Sequence, residues 1–563
     1  MKAIVLFCVM SLYVIAGHHC HGGNKWWQKM SLYQIYPRSF KDSDGDGIGD
    51  LKGIASKLDH LKESFVDAFW ISPIFPSPMV DFGYDISNFI DIEPLFGTMK
   101  DFEDLLDTAH SKSLKVILDF VPNHSSDQHE WFQKSLKKIE PFTDYYVWHP
   151  GKKLEDGTVV PPNNWVSVFG GPAWTWKEER QAYYLHQFTA EQPDFNYHNP
   201  TLVKEMHDVL RFWLNKGVDG FRVDAIPHLC EDQRFLDEPL SGTTNDPNDY
   251  DYTIKTFTKD QQLTYDIVKG WSEVLAEYNG DKVMMMEAYA TIPLTMKYYH
   301  YGASFPFNFE MIANLNNQST AADFKNMIDT WMSNMPEGAT ANWVAGNHDK
   351  PRVLSRFGPR TRAVTLLTLL LPGVSVTYNG DEIGMEDTWI SWEDTKDPQG
   401  CNAGKNRYEQ MSRDPERSPY QWDATISAGF SSNSTTWLPV NKNYKTINLE
   451  TEKGEKDSYY NFYRSIAWLK TAPSVKKANL VTNLLSHNVL LIARETEDDE
   501  SVYAILNLGG MQETVDLVNF YNVPCGLKVY YSTDNFNFKT GDFLCQARNV
   551  QVPPYGIAVL MKH

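Results

Sequence analysis

The sequence predicts an α/β protein built on a (β/α)8 TIM barrel, with a domain inserted after strand 3 and a C-terminal all-β sandwich domain. Three observations support this fold class. Short apolar segments typical of buried parallel strands alternate with amphipathic helical segments. A long stretch rich in Trp, Pro and Gly interrupts the alternation after the third strand. Beyond residue 472, short alternating strands and turns replace the helices.

The elements give the domain boundaries, because 563 residues are too many for one ordinary domain. We expect a signal peptide at 1–17, the barrel at 18–124 and 198–472, the inserted domain at 125–197 and the sandwich at 473–563. The predicted barrel strands are 32–36, 68–72, 115–121, 220–224, 283–287, 304–308, 343–346 and 374–378. The clearest amphipathic helices are 101–112, 202–216, 261–278, 321–335 and 360–371.

Charge and the first residues limit the partners and the compartment. A net charge of -20 argues against nucleic acid or an anionic membrane as partner, since both bind basic surfaces. The apolar run 3–16 after Lys2 is typical of a secretory signal peptide, so we expect a secreted, extracellular protein. No later apolar stretch is long enough to predict a membrane anchor. The sequence leaves the oligomeric state open.

Five cysteines follow the predicted signal peptide, an odd number for complete pairing within one chain. Cys525 and Cys545 lie in the same C-terminal segment and are the best candidates for a disulfide. The pairing of Cys20, Cys230 and Cys401 stays open. The sequons at Asn317 and Asn433 are candidate glycosylation sites in a secreted protein.

Ionisable side chains collect at the carboxyl ends of four predicted barrel strands, where a parallel α/β barrel places its active site. The third strand leads into 119–124, the fourth ends with Arg222 and Asp224, the fifth ends with Glu287, and the seventh leads into 346–349. By itself, Arg222 with Asp224 is also explained by a structural ion pair. Several carboxylates and histidines at one end of neighbouring strands favour an active site instead.

These strand ends carry a recognisable set of motifs. The chain resembles the α-amylase-clan glycoside hydrolases (family 13), and among them the insect α-glucosidases of the maltase and sucrase type. The matching motifs are Asp119 to His124, Gly220 to Ala225, Glu287 to Tyr289, Asn347 to Asp349, Gln192 to Asn196 and Arg417 to Asp423. The resemblance spans most of the barrel and implies the three-domain architecture given above.

The resemblance implies a retaining hydrolysis by two carboxyl groups. Asp224 corresponds to the nucleophile, Glu287 to the general acid/base, and Asp349 to the carboxylate that stabilises the transition state. We expect Arg222 to hold Asp224 ionised. For Glu287 we expect an apolar environment with charged neighbours kept away, which keeps it protonated.

Further residues correspond to those that bind the substrate in the family. His124 and His348 are expected to hydrogen-bond the glucose, and Tyr84 to stack on its ring. Asp81 is expected to pair with Arg417 and to grip the terminal 4-hydroxyl, which produces exo-action; a surface salt bridge is the alternative. The small residue Ala225 is associated with a preference for α-1,4 linkages.

Two structural metal sites are expected, and no organic cofactor. Asp42, Asp44, Asp46 and Asp50, with the carbonyl of Ile48, have the spacing of an EF-hand loop but lack its final Glu. They resemble a Ca²⁺ or Mg²⁺ loop of oligosaccharide-type relatives; a solvated acidic turn is the alternative. The clan's Ca²⁺ site between barrel and inserted domain implies a second set of ligands: Asn123, Asp194, Glu231 and the carbonyls of His228 and Leu229.

The sequence therefore predicts a secreted, exo-acting, retaining α-glucosidase acting on maltose, short maltooligosaccharides and sucrose. An α-1,6-glucosidase or a sucrose transglycosylase of the same clan is one alternative. A non-catalytic receptor or transporter heavy chain of the same fold is another. The preference between sucrose and maltose stays open, because the loops around 389–423 shape the leaving-group side.

Overall fold

The computed structural model describes residues 25–497, 500–520, 526–544 and 547–562. The predicted signal peptide, Cys20 and the proposed Cys525–Cys545 disulfide lie outside these described residues and stay predictions. Of the described cysteines, Cys230 is buried, Cys401 is exposed and both are unbonded. No helix of the described residues is long and apolar enough to cross a membrane.

The strands are, in chain order, β1 (Ser31–Ile35), β2 (Ala68–Ile71), β3 (Lys115–Phe120), β4 (Trp148–His149), β5 (Lys152–Lys153), β6 (Val159–Val160), β7 (Trp174–Lys177), β8 (Ala182–Leu185), β9 (Gly220–Val223), β10 (Val283–Met286), β11 (Phe305–Pro306), β12 (Asn342–Val344), β13 (Val374–Tyr378), β14 (Asn479–Leu484), β15 (Val489–Glu495), β16 (Val502–Asn507), β17 (Glu513–Val515), β18 (Leu527–Ser532), β19 (Phe543–Leu544), β20 (Val550–Val552) and β21 (Ile557–Lys562).

The α-helices are, in chain order, α1 (Pro37–Phe40), α2 (Leu51–Ser56), α3 (Leu58–Glu63), α4 (Met99–Ser111), α5 (Glu130–Leu136), α6 (Pro200–Lys216), α7 (Gln262–Ala276), α8 (Ile292–His300), α9 (Glu310–Asn314), α10 (Ala321–Asn334), α11 (Val353–Phe357), α12 (Thr361–Leu370), α13 (Pro398–Ala403), α14 (Tyr408–Met411), α15 (Leu449–Gly454), α16 (Tyr459–Thr471), α17 (Pro473–Lys477) and α18 (Leu517–Phe520).

Eight parallel strands form the barrel sheet, in the order β11-β10-β9-β3-β2-β1-β13-β12. Each coincides with one of the predicted barrel strands, so the predicted fold class is confirmed. Apolar side chains such as Leu32, Ile117, Val283 and Val376 fill the barrel interior. Because helices cover the outside as well, the strands are buried on both faces and are apolar almost throughout.

Side-chain hydrogen bonds join the two end strands of this sheet, β11 and β12. The buried Asn342 side chain of β12 accepts a hydrogen bond from the amide of Asn308 at 2.7 Å and donates one to the carbonyl of Pro306 at 2.7 Å. Asn342 therefore substitutes for backbone pairing at the seam of the barrel.

Helix α6 shows how the chain enters the central strand β9. Asn199 caps the helix by accepting a hydrogen bond from the amide of Thr201, and Pro200 occupies the first helical position. Gly217 ends the helix with φ 103°, a left-handed conformation that favours glycine. At Gly220, an added Cβ would lie 2.1 Å from the carbonyl oxygen of Val283, so β9 and β10 can approach only with glycine there.

The chain between β3 and α6 folds over the carboxyl end of the barrel. It contains α5 and a small antiparallel sheet in the order β4-β8-β7. Trp165, Trp174 and Leu185 belong to its own apolar core. This segment contributes Phe169 and Phe188 to the pocket described below.

The C-terminal region is all-β, as predicted. Its main antiparallel sheet has the order β14-β15-β16-β21-β18-β19, and β17 pairs with β20 in a second sheet. Alternate residues of β15 face different neighbours: Val489 and Leu491 pack in the core of the C-terminal region, whereas Leu490 and Ile492 pack in a core shared with the barrel helices. One face of this sheet is therefore bound to the barrel.

Candidate active site

The register of the parallel sheet brings three predicted site residues together. Arg222 of β9 lies beside Asp119 of β3 on one side and Met285 of β10 on the other. Asp224 and Glu287 follow β9 and β10 directly, so both lie at the carboxyl end of the barrel. Their proximity follows from strand order and register, which is why sequence reasoning could anticipate it.

The Arg222 guanidinium is the centre of a cluster of three carboxylates. Nη1 donates to Asp119 at 3.0 Å and to the Asp224 carboxylate, and Nη2 lies 2.8 Å from Glu287 Oε1. The guanidinium carbon also lies 4.8 Å from the centre of the Trp70 ring. The predicted contact between Arg222 and Asp224 is present. The expectation that Glu287 has no charged neighbour is wrong, because the two amino groups of one guanidinium reach both carboxylates.

Burial raises the pKa of Asp224 above its usual range, and the charges of Glu287 and Asp119 raise it further against the opposing effect of Arg222. Burial likewise raises the pKa of Asp119 to about 6, although Arg222 opposes the shift. Asp224 therefore does not ionise independently of the charged groups around Arg222.

Ala225 connects the carboxyl ends of β9 and β10 through its backbone. Its φ is 46°, a left-handed conformation that is rare outside glycine. In this conformation its amide donates to Glu287 Oε2 at 2.8 Å. Glu287 is therefore held at both carboxylate oxygens, by Arg222 and by the backbone next to Asp224. A β-branched residue at position 225 would meet a steric penalty in this conformation.

The structure corrects the predicted partner of Asp81. Asp81 pairs with Arg413 at 2.8 Å, whereas Arg417 donates to Asp349 at 2.8 Å and to the carbonyl of His348. Arg413 also pairs with Asp349 at 3.1 Å and with Asp397 at 2.6 Å. Arg413 thus joins three carboxylates, and the predicted Asp81–Arg417 pair is wrong. Both arginines lie on one short loop, and only the loop path decides which of them reaches Asp81.

Arginines also control the ionisation of Asp349. Against the effect of burial, His348, Arg413 and Arg417 lower the pKa of Asp349 well below its usual range. Burial lowers the pKa of His348 to about 3, so this ring is neutral at physiological pH. Asp349 is therefore a permanent negative charge at the edge of the pocket.

The predicted aromatic and histidine residues meet beside these carboxylates. The Tyr84 hydroxyl lies 2.8 Å from His348 Nε2, and the two rings stack with centroids 5.4 Å apart. His124 lies 3.0 Å from the carbonyl of Tyr84 and 3.1 Å from the Gln192 side chain. Burial lowers the pKa of His124 to about 4, so it is neutral as well. Neutral histidines can hydrogen-bond hydroxyl groups without adding charge.

These side chains surround a cavity of about 340 Å³. Its acidic and basic lining comprises Asp81, Asp224, Glu287, Asp349, Arg413, Lys259 and Lys350. Aromatic rings of Tyr84, Phe169, Phe188, Tyr250 and Tyr289 line the rest. Arg222 and Arg417 are each 1% exposed and lie behind the carboxylates that they contact. This is the size and chemistry of a pocket for a small polyhydroxylated ligand with apolar faces.

Sequence reasoning missed three contributors to this site. Asp119 lies in one of the motifs that match the family, but the sequence predicts no role for it; it is the buried counter-ion of Arg222. Arg413 stands four residues before Arg417, outside the recognised motif. Tyr289 follows Glu287 by two residues, and its hydroxyl accepts a hydrogen bond from Asn347. The alternation of side chains after β10 was the available signal for Tyr289.

The acidic loop after α1 has the donors for a cation. Carboxylate oxygens of Asp42, Asp44 and Asp50 lie within 4.8 Å of one another. Asp46 stands outside this group of three, and all four carboxylates accept hydrogen bonds from backbone amides of the loop or of α2. The loop is held in place because Ser431 donates to Asp42, and the Asn433 side chain donates to the carbonyl of Gly45. Three of the predicted carboxylates thus present the oxygen donors that suit a hard cation, and the ion site stays a prediction.

The second predicted ligand set also comes together, between β3, the inserted segment and β9. Asn123 donates to Asp194 at 3.3 Å, and the Gln187 side chain donates to both Asp194 and the carbonyl of His228. Burial raises the pKa of Asp194 to about 7, and burial together with Asp194 raises that of Glu231 to about 8. Asn123 Oδ1 is buried without a hydrogen-bond partner. Leu229 is buried beside this set. Oxygen donors of this kind fit a cation.

Similarity to known proteins agrees with the geometry. Residues 34–478 match the alpha-amylase family, described as "Alpha amylase, catalytic domain". The alpha-glucosidase of Apis mellifera is 56% identical over 562 residues, covering 100% of this chain and 98% of that protein. Maltase 1 of Drosophila virilis is 48% identical over 511 residues, covering 89% of this chain and 81% of that protein.

A solved structure agrees as well. The alpha-glucosyl transfer enzyme XgtA has a TM-score of 0.83 and 32% identity, with 96% of this chain and 100% of that chain covered. The chain therefore belongs to the α-amylase family of glycoside hydrolases, family 13, and within it to the insect α-glucosidases. The prediction of an enzyme is confirmed against the non-catalytic alternative.

Proposed function

We propose that the protein is a secreted, exo-acting, retaining α-glucosidase that releases α-glucose from maltose, short α-1,4-linked maltooligosaccharides and sucrose. The observation that carries the proposal is the binding of Asp224 and Glu287 to the same Arg222 guanidinium at the carboxyl end of the barrel. Retention requires carboxyl groups about 5–5.5 Å apart, whereas inversion needs about 6.5–9.5 Å. Two carboxyl groups that contact the same guanidinium favour the shorter separation.

The proposed reaction has two steps. Asp224 attacks the anomeric carbon while Glu287 protonates the leaving oxygen, and a covalent glucosyl-enzyme forms. Glu287 then removes a proton from water, which attacks the same carbon and releases α-glucose. The proton that Glu287 donates to the leaving oxygen in the first step is replaced by the one it takes from water in the second. The oxocarbenium-like sugar carries positive charge, which the permanently ionised Asp349 stabilises.

Exo-action is proposed from the Asp81–Arg413 pair at the pocket. Asp81 is only 4% exposed, and its other carboxylate oxygen accepts a hydrogen bond from Gln192. An acceptor and a donor fixed side by side suit a terminal hydroxyl, which both accepts and donates. The Arg413 guanidinium also lies 5.1 Å from the centre of the Phe169 ring, which limits the room for a further sugar. Arg413 is thus proposed to bind the terminal 4-hydroxyl together with Asp81, the role that the sequence predicted for Arg417.

Secretion, linkage and ion binding complete the proposal. The signal-peptide pattern supports secretion. Ala225, next to Asp224, leaves room that a bulkier residue would fill, which supports α-1,4 linkages. Structural Ca²⁺ is proposed at Asn123, Asp194, Glu231 and the His228 carbonyl, and Ca²⁺ or Mg²⁺ at Asp42, Asp44 and Asp50. A bound cation would neutralise these buried carboxylates; none of the catalytic steps needs it.

Glucosyl transfer is the second candidate activity. XgtA, a structural relative of this chain, is named as an alpha-glucosyl transfer enzyme. The same glucosyl-enzyme serves both reactions, and a sugar hydroxyl that replaces water as the attacking group gives transfer. The product spectrum at high maltose concentration measures the ratio of the two.

The proposal is tested by following the anomer of glucose first released from maltose by NMR, together with Asp224→Asn. We expect α-glucose first, and a loss of kcat of at least about 10³-fold in the variant. Asp219→Asn is the matched control, because Asp219 lies at the opposite end of β9 and binds His110 and Lys115. It should lose stability and keep its kcat. β-Glucose as first product contradicts retention, and near-normal activity of Asp224→Asn contradicts its assignment as nucleophile.

A further inference from the structure

Five basic side chains converge at the amino end of the barrel, opposite the catalytic pocket. This basal cation cluster comprises Lys29, Lys470, Lys476, Lys477 and Arg494, from four separate elements. Lys29 stands two residues before β1, and Gly373, which lines the same cleft, directly precedes β13. Lys470 belongs to α16, Lys476 and Lys477 end α17, and Arg494 comes from β15. The cleft therefore lies where the barrel meets the C-terminal sheet.

Two of the five cations are buried. Lys470 is 4% exposed and donates to the carbonyl of Gly373 at 3.1 Å. Arg494 is 2% exposed and follows Leu490 and Ile492 on the face of β15 that packs on the barrel. It donates to the carbonyls of Leu370, Val475 and Ala478. Its Nε is buried and has no hydrogen-bond partner.

None of these five cations forms an ion pair with a carboxylate of the described residues. Asp67 is the acidic residue whose charge reaches Lys470, and its carboxylate accepts a hydrogen bond from the amide of Ser31. This is unexpected in a chain with 72 acidic and 52 basic residues. Although acidic residues outnumber basic ones, none of the described carboxylates is an ion-pair partner of this cluster.

Helix ends account for part of the arrangement. Arg494 binds carbonyl groups at the ends of α12 and α17, and Lys470 binds the carbonyl just before β13, so both satisfy backbone groups that lack partners within their own elements. A helix carboxyl end carries roughly half a negative charge. The ends of α12, α16 and α17 therefore offset about one or two of the five positive charges. They do not account for the convergence of Lys29 and Lys476 on the same cleft, where the charge of Lys477 also acts on Lys29.

The repulsion between the remaining positive charges lowers the pKa values of lysines in the cluster. Burial lowers the pKa of Lys470 to about 7, and Arg494 and Lys476 lower it against the effect of Asp67. Burial also lowers the pKa of Lys29, and Lys476, Arg494 and Lys477 add to the effect. An anion bound in the cleft would offset the mutual repulsion of these positive charges.

We propose that the cleft between Lys29, Lys470, Lys476 and Arg494 binds one small inorganic oxyanion, phosphate or sulfate. Ammonium and guanidinium groups supply charge-assisted donors for its oxygens, and the unpartnered Arg494 Nε is a further donor. The cleft has a volume of about 10 Å³, room for about one oxygen atom, so one oxygen of the anion would enter it and the others would lie at its mouth beside Lys29 and Lys476. The anion would connect β15 and α17 to the amino end of the barrel. Its role is to stabilise the attachment of the C-terminal sheet, and it has no part in catalysis.

The test measures the binding of inorganic phosphate to the full-length enzyme by equilibrium dialysis, and its Tm in phosphate, sulfate and chloride at equal ionic strength. We expect about one phosphate per chain and a saturable rise in Tm of about 1–2 °C with either oxyanion. Chloride should give a smaller rise. Maltose hydrolysis should be unchanged.

The double variant Lys29→Gln/Lys476→Gln separates site binding from general salt effects. Both side chains are partly exposed, so the substitutions leave the fold intact. In phosphate the variant should lose the rise in Tm and bind phosphate at least about fivefold more weakly. Without oxyanions its Tm should equal or exceed that of the wild type, because repulsion has been removed.

The control Lys137→Gln/Lys153→Gln makes the same change of charge at two exposed lysines of the inserted segment, and it should behave as the wild type. Two results overturn the proposal. One is an equal rise in Tm with chloride and phosphate. The other is a phosphate response that the double variant and the control retain equally.

Discussion

The two ends of the barrel have opposite charge balances. At the carboxyl end, three arginines, Arg222, Arg413 and Arg417, contact six carboxylates: Asp81, Asp119, Asp224, Glu287, Asp349 and Asp397. At the amino end, the basal cation cluster has five cations and one nearby aspartate. Each end therefore lacks counter-charge. We propose that the reacting sugar supplies it at the carboxyl end, as positive charge in the transition state, and that an anion supplies it at the amino end.

The difference also decides what a substitution does. An arginine at the carboxyl end is shared among carboxylates, so its removal leaves buried negative charges unpaired, which is strongly unfavourable. A lysine at the amino end is surrounded by like charges, so its removal relieves repulsion. The three predictions below use this contrast, in order of decreasing expected effect.

The largest effect is expected for Arg413→Ala. This substitution leaves Asp81, Asp349 and Asp397 without a shared cation, and we expect kcat/KM for maltose to fall about 10²–10³-fold. Arg417→Ala is the comparison, because Arg417 lies behind Asp349 and does not contact Asp81. It should lower Tm more and kcat/KM less. Equal losses of kcat/KM in the two variants would contradict a specific role of the Asp81–Arg413 pair in binding the substrate.

An intermediate effect is expected when a chelator removes the proposed cations, because the excess carboxylates near the carboxyl end of the barrel then lose their counter-charge. EDTA should lower the Tm by about 3 °C, and Ca²⁺ should restore it, because a cation offsets the charges of Asp194 and Glu231. Glu231→Gln and Asp44→Asn separate the two proposed sites, since each removes one ligand. A Tm that does not respond to EDTA in the wild type would rule out both as structural ion sites.

The smallest effect concerns the pH dependence of Lys470. The folded-state pKa is about 7, below the unfolded value of about 10.4, so between these pH values the unfolded chain binds the extra proton. Stability from this group is therefore gained as pH rises above 7. Relative to Lys470→Met, the wild type should gain about 2 kcal/mol in unfolding free energy from pH 7 to pH 9 in buffer without oxyanions.

Phosphate should flatten this pH dependence, because a bound anion offsets the repulsion by Lys29, Lys476 and Arg494. The Asp67 charge is present in both proteins and cancels in the difference. Urea unfolding followed by circular dichroism measures the effect. If the difference in unfolding free energy between the wild type and Lys470→Met does not change with pH, Lys470 stays protonated over this range without a bound anion.

Much of the catalytic site was predictable from local pattern. Apolar runs followed by Arg222, Asp224 and Glu287 predicted strand ends, and in a parallel barrel all carboxyl ends meet at one edge. The Asp81 partner was wrong for a physical reason. Arg413 and Arg417 stand on one loop more than 300 residues from Asp81, and local periodicity carries no information about which of them reaches back. The surroundings of Glu287 were wrong because one guanidinium can bind two carboxylates at once.

By itself, the sequence determined the order of strands and helices, the end of the barrel that carries the carboxylates, and the two carboxylates of the proposed catalytic pair. These features depend on periodicity and on residue types close in the chain. Only the tertiary structure decided which charges meet: Arg413 with Asp81, Arg222 with Glu287, and Lys29 with Lys476 and Arg494. Electrostatic interactions act across short distances in space between segments remote in sequence. Burial then sets their strength, and burial exists only in the folded chain.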